Sequence, residues 1–286
     1  MVVVNMMSIG IFPNMQKNLA KSILKRVMNF FIGKSVRVVM PQREAEYFGF
    51  PAYGSESIVD ESLDIAVSIG GDGTLLGVCR LLSQHDIPVC GINLGTVGFM
   101  TDIELNEIEK CLQKLLNGNY NIEERLMLTG TALHGGKEML LGHAINDIVV
   151  SKGGLARMLR ISLDVNKTQV ADYKADGIIV STATGSTAYS LSAGGPILNP
   201  LVKALLLTPI CPHSFNIRPM VVRAEDIVEV HVVSGQDVAA TLDGQKIIPL
   251  DEGDTVIVRQ SEKSARIVKF ADKDYYKIVR TKLWGT

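Results

Sequence analysis

The chain opens on a run of apolar, β-branched residues, Val2–Phe12, that stops at Pro13 and Asn14. This pattern predicts a buried strand followed by a turn, with Asn14 and the residues after it starting a helix through about Phe30. "SVRVVM" (35–40) predicts a second short strand. "LDIAVSIGG" (63–71) is continuously apolar and ends at glycines, as a fully buried parallel strand does. "TLLGVCRLL" follows with helical spacing, and "IPVCGINLG" (87–95) repeats strand-then-glycine. "IELNEIEKCLQKLLNG" (103–118) puts Leu105, Ile108, Leu112 and Leu115 on one helical face, with Gly118 as the C-terminal cap. Alternation of strand and helix predicts an α/β domain with a parallel sheet over residues 1–121.

Beyond residue 121 the period changes. "IVEVHVV", "DVAATL", "DTVIVRQ" and "ARIVKF" alternate with a period of two, and "SGQD", "LDEGD" and "SEKS" separate them as turns. "DVNKTQV" (164–170) reads as a hairpin. Residues 122–268 therefore predict an antiparallel β-rich domain, with helical spacing confined to "GSTAYSLSAGG". The aromatic, basic stretch 269–286 reads as a tail that packs back on the first domain. There is no internal repeat and no low-complexity linker.

Composition narrows the function classes. The 29 Lys and Arg nearly balance the 30 Asp and Glu, and a net charge of −1 argues against nucleic-acid binding by bulk charge. Cys79, Cys90, Cys111 and Cys211 make no metal-binding spacing, and their sparseness fits a reducing, cytoplasmic setting. No apolar run nears the ~20 residues that span a membrane. His85, His134, His143 and His231 show no ligand spacing and read as surface or strand residues, and His213 reads as structural.

The candidate chemistry begins at "IGGDGTLL" (69–76). Glycines between a strand and a helix let backbone N–H groups approach a phosphate, and the helix N-terminus adds a positive dipole end. The stretch lacks the Lys-Ser/Thr of a P-loop and the spacing of a dinucleotide fingerprint. Asp72 has two readings: a helix cap, or a carboxylate that takes a proton from an attacking hydroxyl or sits near a phosphate-bound Mg²⁺. "NLGTVGF" (93–99) closes the next strand, and two such loops would line one crevice. In the second half, Asn146–Asp147 and the Gly/Ser/Thr-dense stretch 173–196 suit ribose hydroxyls and an adenine edge, with Tyr189 placed to stack on a base. Taken alone, Asn146–Asp147 also fit a strand-end turn, and the dense stretch fits a capped, tightly packed helix.

At these residues the sequence resembles the NAD kinase family. The matching pieces are "GGDGTLL" (70–76), "NLGTVGFM" (93–100), "ND" (146–147), "KADGIIVSTATGSTAYSLSAGGPI" (174–197), "PICPHS" (209–214) and "DGQ" (243–245). A lone GGDG is shared with lipid kinases and phosphofructokinases, whereas "TATGSTAYSLSAGGP" is far more specific. The resemblance implies phosphoryl transfer from ATP or another polyphosphate donor, with Mg²⁺, to the adenosine 2′-hydroxyl of NAD, giving NADP. It implies an α/β domain, a β domain and a site in the cleft between them. It makes Asp72 the proton acceptor and places Asp72, Gly73, Asn146, Asp147, Arg157, Lys174, Asp176, Thr187, Ala188, Tyr189, Ser190, Leu191, Ser192 and Gln245 on the dinucleotide. No residue is implied as a metal ligand. A homodimer or homotetramer is implied, one subunit completing its neighbour's site. Two positions depart from common family choices: the pair is Asn-Asp where many members have Asn-Glu, and Lys174 stands where Arg is common. The rivals are a lipid kinase with the same loop and a non-enzymatic nucleotide sensor; formation of NADP from NAD, ATP and Mg²⁺ separates the three.

Overall fold

The computed structural model describes residues 6–95, 98–154, 158–270 and 274–285. The chain divides into two compact units. The first is made of residues up to Glu124 together with those from Ala265 onward, and the second runs from Arg125 to Ser264.

In the first unit the strands Val89–Asn93, Ile65–Gly70, Met7–Pro13, Val36–Pro41 and Gly54–Ser55 lie side by side in that order, all parallel. The end of strand Thr255–Lys269 joins beside them, Ile267 pairing with Val89. Every residue of Ile65–Gly70 is buried, which explains its unbroken apolar run. Helix Ala20–Phe31 buries Ala20, Ile23, Leu24, Val27, Met28 and Phe31, an i, i+3, i+4, i+7 stripe against Ile9, Ile11 and Val67. The helix begins six residues later than Asn14 suggests. Asn14 is held instead at the strand end, where its N–H donates to Ile69 O (2.9 Å) and its amide to Thr74 Oγ1 (2.8 Å). Helix Ile108–Leu116 ends with Gly118 at φ +71°, the left-handed position that favours glycine. Leu105 lies before this helix, half-buried on the same core.

The second unit is two antiparallel sheets. One places Thr168–Ala175, Leu159–Val165, Val228–Ser234 and Thr255–Lys269 in order. The other runs Met220–Arg223, Ala204–Ile210, Gly177–Thr182, Asp147–Lys152, Val238–Leu242, Lys246–Leu250. Leu163, Val228, Val230, Ile178, Val180 and Leu205 fill the core of this unit. The "DVNKTQV" hairpin is present, with Asn166 and Lys167 at φ +51° and +64° forming its two-residue turn. "SEKS" is not a turn. Strand Thr255–Lys269 continues straight through it for 15 residues. Polar residues there break the hydrophobic pattern because the segment passes from the core of one unit to that of the other.

Candidate active site

Asp72 is the first residue of helix Asp72–Leu82, with Gly71 as its N-cap. Its carboxylate does not cap its own helix. It reaches across to the loop after the next strand. Oδ2 accepts the Phe99 N–H (2.7 Å), and Oδ1 accepts the Met100 N–H (3.1 Å), the Thr101 N–H (3.0 Å) and the Thr101 hydroxyl (3.0 Å). Each carboxylate oxygen has about two acceptor directions. Oδ1 is saturated, and Oδ2 keeps one direction open. The same loop is anchored behind by buried Asp102, which accepts from Lys269 Nζ (2.8 Å) and the Phe270 N–H (2.8 Å).

The glycines of the turn divide into two kinds. A Cβ on Gly70 would lie 2.2 Å from Thr74 Oγ1, and one on Gly98 would lie 2.3 Å from Asp72 Oδ1, so packing demands both. A Cβ on Gly71 or Gly73 would meet nothing within 4 Å, and Gly71 has an ordinary extended φ of −128°. The fold does not need glycine at either position. What both leave is open space over backbone N–H groups at a helix N-terminus, as an anion requires.

In the second unit, strand Asp147–Lys152 begins where Gly177–Thr182 and Val238–Leu242 end. Asp243, at φ +49° in the three-residue loop to Lys246, accepts the N–H groups of Ile145 (3.1 Å), Asn146 (2.8 Å) and Asp147 (3.3 Å). The Thr182 hydroxyl donates to Ile145 O (2.6 Å) and accepts the Gly185 N–H (3.1 Å). Gly185 packs flat on this segment, since a Cβ there would lie 2.2 Å from Asn146 O. Asp147 is 4% exposed, and its carboxyl has no hydrogen-bond partner among the described residues. Burial, with Asp243 beside it, pushes this carboxyl up to about 7 from its ordinary 3.8.

The stretch after Gly185 turns back over this end as a 3-10 turn, Thr184–Thr187, and one turn of helix, Tyr189–Ser192. Tyr189 is 46% exposed, Ser192 is exposed, and Thr187, Ala188 and Leu191 are half-buried. Ser190 is fully buried, its hydroxyl bonded to Thr208 Oγ1 (2.8 Å), and Ser186 is spent on Ala183 O and the Leu198 N–H. The hydroxyls of this stretch are therefore split between holding the turn and facing outward. Gln245 is exposed in the Asp243 loop. Asp176 lies at the opposite end of this sheet, next to Gly177, which pairs with Ser151 and Ile210. The five rises of about 3.3 Å between the first and last residues of a six-residue strand separate the two ends by roughly 17 Å. Lys174 is on the edge strand Thr168–Ala175 of the other sheet, opposite Arg160. Asp176 is paired with Lys152 at 3.4 Å.

Residues 2–120 match the family model of the ATP-NAD kinase N-terminal domain, and residues 145–270 match that of the ATP-NAD kinase C-terminal domain. The chain belongs to the NAD kinase family. An NAD kinase of Moorella thermoacetica is 43% identical over 282 residues, 97% of this chain and 89% of that protein. One of Heliobacterium modesticaldum is 40% identical over 282 residues, covering 97% and 99%. Among solved structures, yeast NADH kinase complexed with NADH superposes with a TM-score of 0.87 at 26% identity, covering 98% of this chain and 88% of that one. An NAD kinase from Archaeoglobus fulgidus in complex with ATP gives 0.75 at 27% identity, covering 98% of both chains.

The residues that the NAD kinase motifs single out thus fall into three groups. Asp72 and Gly73 stand on the first unit. Asn146, Asp147, Thr187–Ser192 and Gln245 gather at one end of a sheet in the second, and Asp176 lies at its other end, with Lys174 two residues before it on the edge strand of the other sheet. Arg157 lies outside the described residues. The sequence motifs include Thr182 and Asp243 but give neither a role, and they leave out Thr101 and Lys152; the polar groups of all four hold the named residues in place. Asp243 carried a signal: Asp-Gly between two alternating apolar runs marks a tight turn. The others gave none, because the residues they anchor, Asp72 for Thr101, Ile145 for Thr182 and Asp176 for Lys152, are far away along the chain.

Proposed function

We infer that the chain transfers the terminal phosphoryl group of ATP to the adenosine 2′-hydroxyl of NAD, forming NADP, with Asp72 as the group that takes the hydroxyl proton. The observation that carries the role of Asp72 is its hydrogen bonding. Four donors fix the carboxylate and leave one acceptor direction, on Oδ2. A base held this way reaches the attacking oxygen without searching rotamers, and such a base contributes about 10²–10⁴-fold. Gly71 and Gly73 expose backbone N–H groups to the donor's phosphates. Mg²⁺ would arrive on those phosphates and supply neutralising charge. The turn offers N–H groups and a single carboxylate, which suits a hydrated ion riding on phosphate and not a dedicated protein cage.

Asn146, Asp147, the Thr187–Ser192 turn and Gln245 form the dinucleotide group. Asp147 stands where its carboxyl has no internal partner, so a ribose or amide group of NAD would supply one. Asp176, roughly 17 Å away along the strand direction, and Lys174 two residues before it serve a neighbouring copy in a homodimer or homotetramer, each copy completing the other's site. Free thiols at all four cysteines fit a cytoplasmic setting. No helix of the described residues is long and apolar enough to cross a membrane. The direct test is incubation of the purified chain with NAD, ATP and Mg²⁺ and detection of NADP. NADP that appears only with all three supports the reading; its absence with ATP and with polyphosphate contradicts it.

A further inference from the structure

A second group of ligand-type side chains lies in the other sheet of the second unit. Strands Leu159–Val165 and Val228–Ser234 run antiparallel, with Asp164 directly opposite Glu229 and Ser162 opposite His231. Leu163, Val228, Val230 and Val232 point into the core, so Asp164, Glu229 and His231 share the opposite face, each half-buried. One ligand atom from each lies within 4.8 Å of the other two.

Three observations give this cluster a purpose. First, two carboxylates directly opposite on paired strands destabilise a sheet. Glu229 has no hydrogen bond or ion pair among the described residues. Its row across the sheet is Gln169, Asp164, Glu229, Ile257, and it holds no cation. Second, His231 Nε2 stands 3.5 Å from Asp164 Oδ2. That is long for a hydrogen bond, and it matches the spacing of about 3.4 Å between two ligands on a tetrahedral ion with bonds near 2.1 Å. Third, the ring is already oriented from behind. His231 Nδ1 bonds Thr255 Oγ1 at 2.9 Å, from the residue paired with His231 on the next strand. A partner on the far nitrogen is what a metal-bound histidine carries, because it fixes the ring and aims the other lone pair.

We propose that Asp164, Glu229 and His231 bind one divalent cation of the zinc class. A mixed nitrogen and oxygen set favours Zn²⁺ over Mg²⁺ or Ca²⁺, which take all-oxygen sites. The ion neutralises the facing carboxylates and ties together strands Leu159–Val165, Val228–Ser234 and, through Thr255, Thr255–Lys269. This site shares no residue with the dinucleotide group, so it stands or falls independently of the kinase reading. The cluster His134, Asp251 and Asp254 is the natural control. There Asp254 is already engaged, Oδ1 on His134 (2.8 Å) and Oδ2 on the Asp251 N–H (2.8 Å).

The test is calorimetric titration of the chelator-treated full chain with Zn²⁺, without nucleotide. Co²⁺ absorption and melting temperature are read in parallel. One Zn²⁺ per chain is expected, with a melting temperature that rises with Zn²⁺ concentration and visible d–d bands with Co²⁺. His231→Gln and Glu229→Gln should each weaken binding at least tenfold, and Thr255→Val about tenfold. His134→Gln should change nothing. Glu229→Gln removes a like-charge contact, so it should fold at least as well as the parent. No Zn²⁺ binding, binding that survives both Gln variants, or binding lost in His134→Gln would overturn the proposal.

Discussion

Asp147→Asn isolates the electrostatic cost built into the dinucleotide end of the second unit. The native carboxyl is 4% exposed, has no internal hydrogen-bond partner among the described residues, and sits beside Asp243. Burial first, and Asp243 second, raise it from 3.8 to about 7. The sign follows from which state holds the proton. Below about pH 4 both folded and unfolded chains are protonated at this group, and it adds no pH dependence. Between about pH 4 and 7 the unfolded chain releases the proton while the folded chain keeps it. Stability then falls by about 1.4 kcal/mol per pH unit, to a total near 4 kcal/mol, and stays at that lower level above pH 7. An amide of the same shape does not ionise. Urea unfolding of both chains at pH 5, 6, 7 and 8 reads the effect. The variant should gain on the parent steadily between pH 5 and 7, reaching a margin of a few kcal/mol at pH 8. Parallel curves for the two chains would show that Asp147 is not held against ionisation, and the argument from its burial would fail.

Other outcomes follow from the same geometry. Gly71→Ala should fold as stably as the parent, since its Cβ meets nothing, yet raise the KM for ATP at least tenfold; an unchanged KM would mean no phosphate approaches that backbone. Gly98→Ala drives a Cβ into Asp72 Oδ1 and Thr101 Oγ1. Steady-state kinetics should show kcat falling about 10²-fold, as for a misplacement near 1 Å. Asp72→Asn and Asp176→Ala homo-oligomers should each be nearly inactive. Refolding them together should restore about a quarter of the parent activity, because mixed pairs keep one complete site in two; no recovery on mixing would put Asp176 in its own chain's site or in none.

The legible parts of this molecule were those whose signal is local. The buried strand Ile65–Gly70 wrote an unbroken apolar run, and Gly118 marked a helix end by its position. The hairpin at Asn166–Lys167 was readable from turn residues between alternating strands. "SEKS" misled because polar composition is shared by turns and by a strand leaving one core for another. Asn14 misled because its side chain serves Thr74, 60 residues on, and not a helix start. At the site, Asp72 was legible from its odd position among glycines, but not the reason for Gly98, which exists to make room for that carboxylate. Likewise Ser190 reads like its neighbours in the sequence and differs from them only in being buried on Thr208. His231 showed no ligand spacing because its companions are opposite it across strands, where sequence separation carries no information.

The central claim is that Asp72 takes the proton from the attacking 2′-hydroxyl. Asp72→Asn keeps an oxygen for Met100 and Thr101, while its amide nitrogen replaces Oδ2 and so loses the Phe99 N–H bond together with the free basic position. The decisive measurement pairs NAD affinity by calorimetry with single-turnover NADP formation in this variant. The account predicts affinity within a few fold of the parent and a rate lower by about 10²–10⁴-fold. A rate within a few fold of the parent, with NAD bound equally well, would contradict it.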